Sequence, residues 1–448
     1  MMSKYFSIII LSHNNKHIDL VLNSVLKQVH EKDEVIIVDD HSENDYLTFL
    51  NQLALQHKIK ILHSVKTGNR SHNRNLGAKN SLNDILLFMD GDMVLIENAL
   101  AVLRNAHESR EEKAFIGPKH NIHYDEIHFK LFSGIDNYLS LLQTFKGQKQ
   151  LASSYFLLDE REAFFDDNSN REFFWMHYYT GTSSVERSIF NQCGGFDESF
   201  ETWGSEDVDL GYRIHFLCEI GFLKDFHSFH IPHKRNPLKI ESSNLQNILK
   251  MLEKYHSWEF EVQYSFSGNP SIHKSMYYIV DQMRTLPLLD IQKIDPVNGS
   301  FMIINTISRK HPNGCILLGN AAKTDTIQQI GIALPYRTQS YDVVCISEHI
   351  FTYPPIITSR ILQEAVRVGK KVYIQKMPDC IRINWNTNAL IPTPLSNYRV
   401  AYHSDDIMDF DFNEDHDVIN VVAALPKSIL RSPKFLENMY AYQDHTEG

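Results

Sequence analysis

The chain has 448 residues, more than one hydrophobic core usually serves, so two domains are expected, with three as the alternative. Its 43% hydrophobic and 22% charged residues indicate a globular protein rather than a disordered one. Its 44 basic residues against 55 acidic ones give a net charge of -11, which argues against broad electrostatic binding to nucleic acid or anionic lipid.

No stretch of the sequence has the length and apolar character of a membrane-spanning helix, so we expect a chain without a transmembrane segment, located in the cytoplasm. The short apolar run near the first residue is interpreted as a buried strand. The cysteines are odd in number and contain no C-x-x-C pair, which predicts reduced thiols rather than disulfides or a zinc site. They are Cys193, Cys218, Cys315, Cys345 and Cys380.

The first 120 residues alternate β-branched apolar runs with amphipathic stretches, which is typical of βαβ units around a mostly parallel sheet. The predicted strands are 6–12, 34–40, 59–63 and 84–95. The predicted helices are 18–26, 47–56 and 71–82. Because polar residues follow the first two strands directly, the carboxyl edge of this sheet is the expected ligand site.

Farther along the chain the pattern loosens over 131–170, where we expect an irregular segment of the kind that covers a substrate. Strands are predicted at 175–185 and 226–233, and helices at 238–255 and 272–286. We place the first domain at 1–260 and a helical linker at 261–297. A smaller α/β domain is expected over 298–448.

The most informative pattern is Asp90-Gly91-Asp92, directly after the apolar strand ILLFM. A strand that ends there projects two carboxylates into the ligand crevice, with a glycine that allows a tight turn and close approach of a diphosphate. Such oxygen ligands suit Mg2+ or Mn2+, which bridge the phosphates of an activated donor. A surface β-turn explains most isolated triplets of this kind, but the preceding five apolar residues favour a metal site.

A second acidic pattern lies in the segment GGFDESFETWGSEDVDLGYR. If a helix begins after Gly204, three acids occupy its first turn, where the helix dipole favours negative charge. These acids are Glu206, Asp207 and Asp209. Ordinary capping accounts for acids at this position, but it does not account for Trp203, whose ring offers a stacking face for a sugar.

With both patterns in this order, the sequence resembles the family 2 glycosyltransferases of the GT-A fold over roughly 6–236. The second segment is similar to the acceptor-side motif of galactosyl- and N-acetylgalactosaminyltransferases, including chondroitin-polymerase-like bacterial enzymes. The resemblance implies an inverting reaction with Asp207 as the general base. It implies that Glu206 and Asp209 orient the acceptor and its loop, and that Trp203 and Gly204 contact the acceptor.

The resemblance also implies a nucleotide pocket at the ends of the first two strands. Ser12, His13 and Asn14 would line this pocket, and Asp39 would hydrogen-bond the uracil of a UDP-sugar. Polar residues at such positions also occur as ordinary helix caps, without a ligand.

The segment GNRSHNRNLGAKN resembles the family's G-x-x-x-A-R-N-x-G stretch. This likeness places Arg74 and Asn75 near the diphosphate, beside Asp90 and Gly91. The sequence departs from the family pattern by having His72 and Asn73 before the arginine, so the individual contacts are left open.

Histidine is frequent, with 23 in the chain, so most of these residues are expected to be structural. His230 and His233 in the segment FHIPH are the exceptions, because members of the resembled family bring a histidine from this region to the metal. Neutral imidazole suits Mn2+ better than Mg2+. We expect His230 to be the third ligand, with His233 as the alternative.

Residues 315–374 resemble the middle of class I methyltransferases, with an L-P-x motif before a strand and an R-V-G-K turn after a helix. The segment CILLGNAAKTD has a single glycine where these enzymes carry a glycine-rich loop for S-adenosylmethionine. We therefore expect a degenerate Rossmann-like domain that serves acceptor binding or self-association into a homo-oligomer.

The sequence thus predicts a metal-dependent inverting glycosyltransferase that moves a sugar from a UDP-sugar to a glycan or peptide acceptor. The alternatives are a catalytically silent sugar-binding or scaffold protein and a bifunctional glycosyltransferase-methyltransferase. Neither the sugar nor the acceptor follows from spacing, because a few pocket contacts select them.

Overall fold

The computed structural model divides into two compact units, Met1–Asn247 and Ile248–Gly448. It describes residues 4–122, 156–157, 159, 161–166, 168–231, 233, 236–265, 300–308, 311–319, 324–327, 329–347, 355–370, 372–375 and 418–420. Most of the irregular segment expected at 131–170 and of the linker expected at 261–297 lies outside these residues, as does the helix expected at 272–286. The domain boundaries inferred from sequence stay predictions.

The first unit contains eleven strands among the described residues. They are β1 (Phe6–Ser12), β2 (Glu34–Asp39), β3 (Lys60–His63), β4 (Ile85–Asp90), β5 (Met93–Leu95), β6 (Ala114–Ile116), β7 (Lys119–Ile122), β8 (Phe156–Leu157), β9 (Thr182–Glu186), β10 (Ile220–Phe222) and β11 (Ser228–His230). Seven of them form one sheet in the order β10-β6-β9-β4-β1-β2-β3, and four form a second sheet in the order β5-β11-β7-β8.

The larger sheet is mostly parallel. Strands β3, β2, β1 and β4 run in the same direction, and β9 runs antiparallel between β4 and β6. The residues of β1 and β4 form near-continuous apolar runs, as expected for strands covered on both faces. Ile8, Ile10, Leu87 and Met89 are fully buried in the core of this unit.

The described part of the first unit also contains eight α-helices and one 3-10 helix. They are α1 (Ile18–Leu26), α2 (Asn44–His57), α3 (Arg70–Lys79), α4 (Ala99–Ser109), α5 (Glu162–Phe165), α6 (Arg187–Gln192), α7 (Glu206–His215) and α8 (Pro237–Tyr255), and a 3-10 helix spans Asn168–His177. Helix α8 continues past the division between the units. No helix within the described part of the chain has the length and hydrophobicity needed to cross a membrane.

Two predicted strands differ from the structure. The strand expected at 84–95 is interrupted by the turn at Gly91, and its two parts, β4 and β5, belong to different sheets. In the strand expected at 175–185, the residues up to His177 are helical instead. The ring of Trp175 is buried there and packs against Tyr212 of α7, with 4.8 Å between ring centroids. The apolar residues at the start of this segment are therefore explained by aromatic packing in a helix, although their pattern predicted a strand.

The described residues of the second unit form the end of α8, two further helices, α9 (Trp258–Ser265) and α10 (Pro355–Val368), and a six-stranded sheet. Its strands are β12 (Phe301–Ser308), β13 (His311–Gly319), β14 (Thr324–Ile327), β15 (Val343–Ser347), β16 (Val372–Gln375) and β17 (Val418–Asn420). Strands β12, β15 and β16 are parallel, but β13 pairs antiparallel with both β12 and β14. Helix α10 connects the parallel strands β15 and β16, as in the expected Rossmann-like pattern, whereas the antiparallel pairs of β13 do not belong to that pattern.

Candidate active site

Three polar residues meet at the carboxyl edge of the larger sheet. Ser12 pairs with Asp39 across β1 and β2, and Leu11 pairs with Asp90 across β1 and β4. The parallel direction of these strands brings their last residues to one edge, where open α/β sheets bind ligands. Strand β9 begins at the same edge, and the carbonyl of Gly181 accepts a hydrogen bond from the Asp90 backbone N–H at 3.0 Å.

Gly91 is held against the end of β1. Its carbonyl accepts a short hydrogen bond from the Asn15 amide, and a β-carbon at this position would collide with the carbonyl oxygen of Leu11. The space beside Gly91 is therefore occupied by the protein's own backbone. This is a different reason for the glycine from the close approach of a diphosphate that the sequence suggested.

Asp92 and two histidines form a cluster beside this turn. Oδ2 of Asp92 lies 3.1 Å from Nε2 of His233 and 3.3 Å from Nε2 of His230. His230 is buried on β11, whereas the His233 side chain is 48% exposed. The sequence offered the two histidines as alternatives, and the structure places both beside the same carboxylate.

The electrostatics of Asp92 favour an ionised carboxylate with room for a cation. Burial opposes its ionisation, but hydrogen bonds from His230 and His233 outweigh burial and hold the pKa of Asp92 well below its ordinary value. Its other oxygen, Oδ1, is buried and receives no hydrogen bond from the described residues. One carboxylate and two imidazoles within 4.8 Å of one another suit Mn2+. The residues present therefore fit the expected metal.

Arg74 joins the two acidic patterns of the sequence. Its Nη2 lies 2.9 Å from Oδ1 of Asp90, and its Nη1 lies 2.9 Å from Oε1 of Glu206. The arginine side chain is 2% exposed, and its guanidinium carbon lies 5.3 Å from the ring centroid of Phe196. Arg74 is thus close to the expected diphosphate site, but its guanidinium is already shared between two carboxylates.

Helix α7 begins within the second acidic pattern, as predicted. Ser205 is its N-cap residue and has a positive φ of 66°, but its hydroxyl makes no capping hydrogen bond and donates to Asn244 Oδ1 instead, at 2.9 Å. Gly204 has a φ of +103°, and a β-carbon there would lie 2.7 Å from the same amide oxygen. The entry to α7 therefore requires glycine at position 204.

Asp207, in the first turn of α7, is suited to act as a general base. Its Oδ2 accepts a hydrogen bond from the backbone N–H of Thr180 at 3.3 Å, and its Oδ1 accepts from Val208 at 2.9 Å. Burial, followed by the negative charge of Glu206, raises the pKa of Asp207 to about 7, with Arg74 opposing the shift. A carboxylate with a pKa near neutrality is suited to proton transfer.

Asp209, which was expected to orient the acceptor and the loop, is linked to the loop through Arg213. It is fully buried, and its Oδ2 pairs with Arg213 at 2.5 Å on the same helix. Arg213 also donates to the carbonyls of Cys193 and Gly195, at 2.7 and 2.6 Å. This geometry gives Asp209 a positioning role for the loop that leads to Trp203.

Trp203 is the exposed aromatic residue expected beside these acids. It is 38% exposed, and its backbone carbonyl accepts hydrogen bonds from Ser243 at 2.7 Å and from Asn247 at 3.3 Å. Helix α8 therefore fixes the backbone of the tryptophan while part of its side chain stays accessible. Such an arrangement offers an apolar face to a sugar ring.

The nucleotide-site residues predicted on β1 and β2 are joined by hydrogen bonds. The Ser12 hydroxyl makes a short hydrogen bond with Tyr46, and His13 Nδ1 lies 2.7 Å from the Asp40 carbonyl. Asn14 accepts from the Glu43 backbone N–H at 2.8 Å. These contacts connect the loops that follow the two strands, as a preformed pocket requires.

Asp39 has a free acceptor in this pocket. Its Oδ2 lies 3.4 Å from His63 Nδ1 and 3.4 Å from the Ser42 backbone nitrogen. Its Oδ1 is buried and receives no hydrogen bond from the part of the chain that is described. A buried acceptor of this kind is costly unless a ligand N–H satisfies it, which suits the imide of uracil.

Asn75, which was expected near the diphosphate, contacts a neighbouring loop. Its amide donates to the Phe196 carbonyl at 2.9 Å and to Glu198 at 3.1 Å, and it accepts from the Phe196 N–H. His72 also pairs with Glu198, at 2.9 Å. The departure from the family pattern at His72 therefore supplies a contact that ties α3 to the loop before Trp203.

A second cluster of metal-ligating residues comprises His120, Glu162 and His227. His120 Nδ1 accepts from the Asp159 backbone N–H at 3.2 Å, which leaves the ring proton on Nε2, 2.9 Å from Nδ1 of His227. Hydrogen bonding between the rings therefore accounts for this pair without a metal.

Three residues of the cleft carry no signal in the sequence. Thr180 and Gly181 contact Asp207 and Asp90 through backbone groups, which any residue type supplies. Lys119 is a lysine at the start of a short strand, and its Nζ would lie 3.5 Å from a β-carbon placed on Gly181. These contacts exist only once the chain has folded, so the local sequence does not indicate them.

Comparisons with known proteins agree with this site. Residues 7–190 match the model of glycosyl transferase family 2, and residues 163–234 match the model described as the N-terminal domain of galactosyltransferase. An uncharacterized glycosyltransferase, YfnE of Bacillus subtilis, is 24% identical over 66% of this chain and 81% of its own length. Chondroitin synthase of Pasteurella multocida is 29% identical over 46% of this chain, and the match spans 22% of that enzyme.

Among solved structures, GalNAc-T7 with UDP, GalNAc and Mn2+ aligns with a TM-score of 0.42 and 14% identity, over 71% of this chain and 65% of that one. The parallel sheet with acids at its carboxyl edge and the matching sequence models indicate a nucleotide-sugar glycosyltransferase. Over residues 7–190 the chain is similar to glycosyltransferase family 2, and the galactosyltransferase-like region over 163–234 includes the start of α7 and both histidines of the metal cluster.

Proposed function

We propose that this protein is a metal-dependent inverting glycosyltransferase that transfers a sugar from a UDP-sugar to a glycan or peptide acceptor. The observation that carries the proposal is the bridge formed by Arg74. It brings Asp90, which ends the donor-side strand, and Glu206, which begins the acceptor-side helix, to one pocket. Donor and acceptor chemistry therefore share a single cleft.

The donor is proposed to bind along the carboxyl edge of the larger sheet. Asp39 would accept the imide N–H of uracil through its buried Oδ1, while Ser12, His13 and Asn14 shape the pocket. Asp92, His230 and His233 would hold Mn2+ or Mg2+. Asp90, whose Oδ1 pairs with Arg74, is proposed as a further ligand. A cation held there would offset negative charge on the diphosphate.

The acceptor is proposed to bind between Trp203 and Asp207. Asp207 would take the proton from an acceptor hydroxyl while the acceptor oxygen attacks the anomeric carbon. The bond from that carbon to the β-phosphate oxygen breaks, and its electron pair leaves with UDP. Attack from the face opposite the leaving group inverts the configuration, and the pKa of about 7 suits Asp207 to this task.

The similar proteins support only the general class of the reaction. The match to chondroitin synthase spans 22% of that enzyme, so we do not propose that this protein makes the same product. We propose that the protein is located in the cytoplasm. For the second unit we propose a role in acceptor binding or in self-association. Its resemblance to methyltransferases stays a prediction.

A transfer assay across donors tests the proposal. Purified protein would be incubated with UDP-glucose, UDP-galactose, UDP-GlcNAc and UDP-GalNAc in Mn2+, and release of UDP would be measured with and without an acceptor glycan. We expect metal-dependent release with at least one donor. A lack of both UDP release and UDP binding would contradict the proposal.

A further inference from the structure

Lys119 is a charged residue at the cleft with no role in the site described so far. Its backbone N–H donates to Asp159 Oδ2 at 2.8 Å, and Lys119 pairs with Ser228 in the parallel ladder of β7 and β11. Residues two apart on a strand share a face, so Lys119 lies on the face of the smaller sheet that carries His230. The lysine is thus fixed on the metal-ligand side of this sheet.

The ammonium group of Lys119 lies close to Asp90. A β-carbon placed on Gly181 would be 3.5 Å from Lys119 Nζ and 3.6 Å from Asp90 Oδ2, so the cation and the carboxylate oxygen flank the same glycine. The other oxygen of Asp90 pairs with Arg74. The side chain of Met93 lies at a similar distance, so three side chains surround this glycine.

The charges in this cleft favour an anionic ligand for the lysine. Asp90, Asp92 and Asp207 are acidic, and the guanidinium of Arg74 is shared between Asp90 and Glu206. A diphosphate that enters such a site needs positive charge beyond that of one divalent cation. A lysine ammonium binds phosphate as a compact point charge.

We propose that Lys119 binds the β-phosphate of the donor and stabilises the charge that this phosphate gains when the sugar leaves. The inference rests on the proposed function, because it requires a nucleotide diphosphate at Asp90 and Asp92. The position of the ammonium beside Asp90 favours the phosphate end of the donor over a carboxylate on the sugar. Lys119 is thereby a substrate-binding residue that the sequence motifs do not include.

Calorimetry with three nucleotide probes tests this inference. UDP, UMP and uridine would be titrated, each in Mn2+, into the wild-type protein, Lys119→Gln and Lys119→Arg. We expect Lys119→Gln to weaken UDP binding about tenfold, as for the loss of a charged hydrogen bond, with UMP and uridine unchanged. Lys119→Arg should retain most of the affinity for UDP.

The matched control is Lys224→Gln, which removes an exposed lysine that pairs with Asp166 at 2.6 Å. This variant should bind UDP like the wild type. Equal UDP affinity in Lys119→Gln and wild type would overturn the inference, as would an equal loss for UMP. Failure of the wild type to bind UDP would instead reject the proposed function.

Gly181→Ala gives an independent test should Lys119→Gln fail to fold. The added methyl group meets only ordinary van der Waals contacts, so folding should be preserved, yet it would lie 3.5 Å from Lys119 Nζ and 3.6 Å from Asp90 Oδ2, where we propose that the phosphate binds. We expect weaker binding of UDP with uridine binding unchanged. Wild-type affinity for UDP in this variant would show that the space does not receive the phosphate.

Discussion

Arg74 and Glu206 form a buried ion pair across 132 positions of sequence, with 2.9 Å between Nη1 and Oε1. The arginine comes from α3 and the glutamate from the first turn of α7. Because the same guanidinium also holds Asp90, the two halves of the catalytic cleft are joined through one side chain. Their relative position therefore depends on this arginine.

Replacement of Arg74 should lower stability as well as activity. Arg74→Met leaves the buried carboxylate of Glu206 without its partner, which costs about 3–5 kcal/mol in comparable sites. The control is Arg171→Met, since Arg171 makes exposed ion pairs and its loss should change stability by less than about 1 kcal/mol. Urea unfolding followed by circular dichroism measures both. Similar losses in the two variants would contradict the bridging role.

The two histidines of the metal cluster should contribute unequally to the affinity for Mn2+. His230→Ala removes a buried imidazole, and His233→Ala removes one that is 48% exposed, so the first variant should lose more affinity for Mn2+. EDTA should abolish transfer and Mn2+ should restore it. Calorimetric titration of Mn2+ checks the ligands, with His215→Ala as the control outside the cluster. Full activity in EDTA would exclude a catalytic metal.

Replacement of Asp207 and replacement of Asp92 should impair different steps, the first catalysis and the second donor binding. Asp207→Asn should reduce kcat by at least about a hundredfold, as for a missing general base, with little change in the Kd of the UDP-sugar. Asp92→Ala should weaken donor binding itself, because the diphosphate loses its bridging cation. Calorimetry and mass spectrometry of the product separate the two effects. A near wild-type rate in Asp207→Asn would move the base to another residue, with Glu206 the next candidate.

The raised pKa of Asp207 predicts how activity depends on pH. The base must be ionised to accept a proton, so kcat/KM should rise with pH and level off above about 7. Glu206→Gln removes the neighbouring negative charge that helps to raise this pKa, and the rising limb should then shift to lower pH. Initial rates at a fixed Mn2+ concentration give both profiles. An unchanged profile in Glu206→Gln would mean that another group titrates.

S-adenosylmethionine should not stabilise the protein. The single glycine of the segment CILLGN and the antiparallel pairing of β13 with β12 both depart from a cofactor-binding Rossmann fold. A ligand at 100 times its Kd stabilises by about 2.7 kcal/mol, so binding would raise the Tm measurably. Thermal unfolding with and without the cofactor provides the measurement, with UDP and Mn2+ as the positive control. A clear rise with S-adenosylmethionine would revive the bifunctional alternative.

Much of the first unit could be predicted from local sequence. Apolar runs and amphipathic spacing predicted β1, β2, α1 and α3 to within a few residues, because burial of one face imposes a period on the sequence. The residues that end parallel strands were expected at one edge, and Asp39 and Asp90 lie there. The prediction was wrong at 175–177, where buried aromatic side chains occupy a helix instead of a strand.

The candidate residues of the site were proposed from the sequence in two ways. Asp90 and Asp92 follow from two carboxylates directly after an apolar strand, whereas the family resemblance implied the roles of Asp207 and the two histidines. The sequence could not decide between His230 and His233, and it gave Asp209 a place at the acceptor. Tertiary packing buries Asp209 against Arg213 and brings both histidines to Asp92.

Only the tertiary structure decided which of these groups work together. The Arg74 bridge, the backbone contact from Thr180 to Asp207 and the approach of Lys119 to Gly181 join segments far apart in the chain. Distances between such groups depend on how sheets and helices pack, and no local period encodes them. The pKa of Asp207 has the same origin, because burial and a neighbouring charge exist only after the chain has folded.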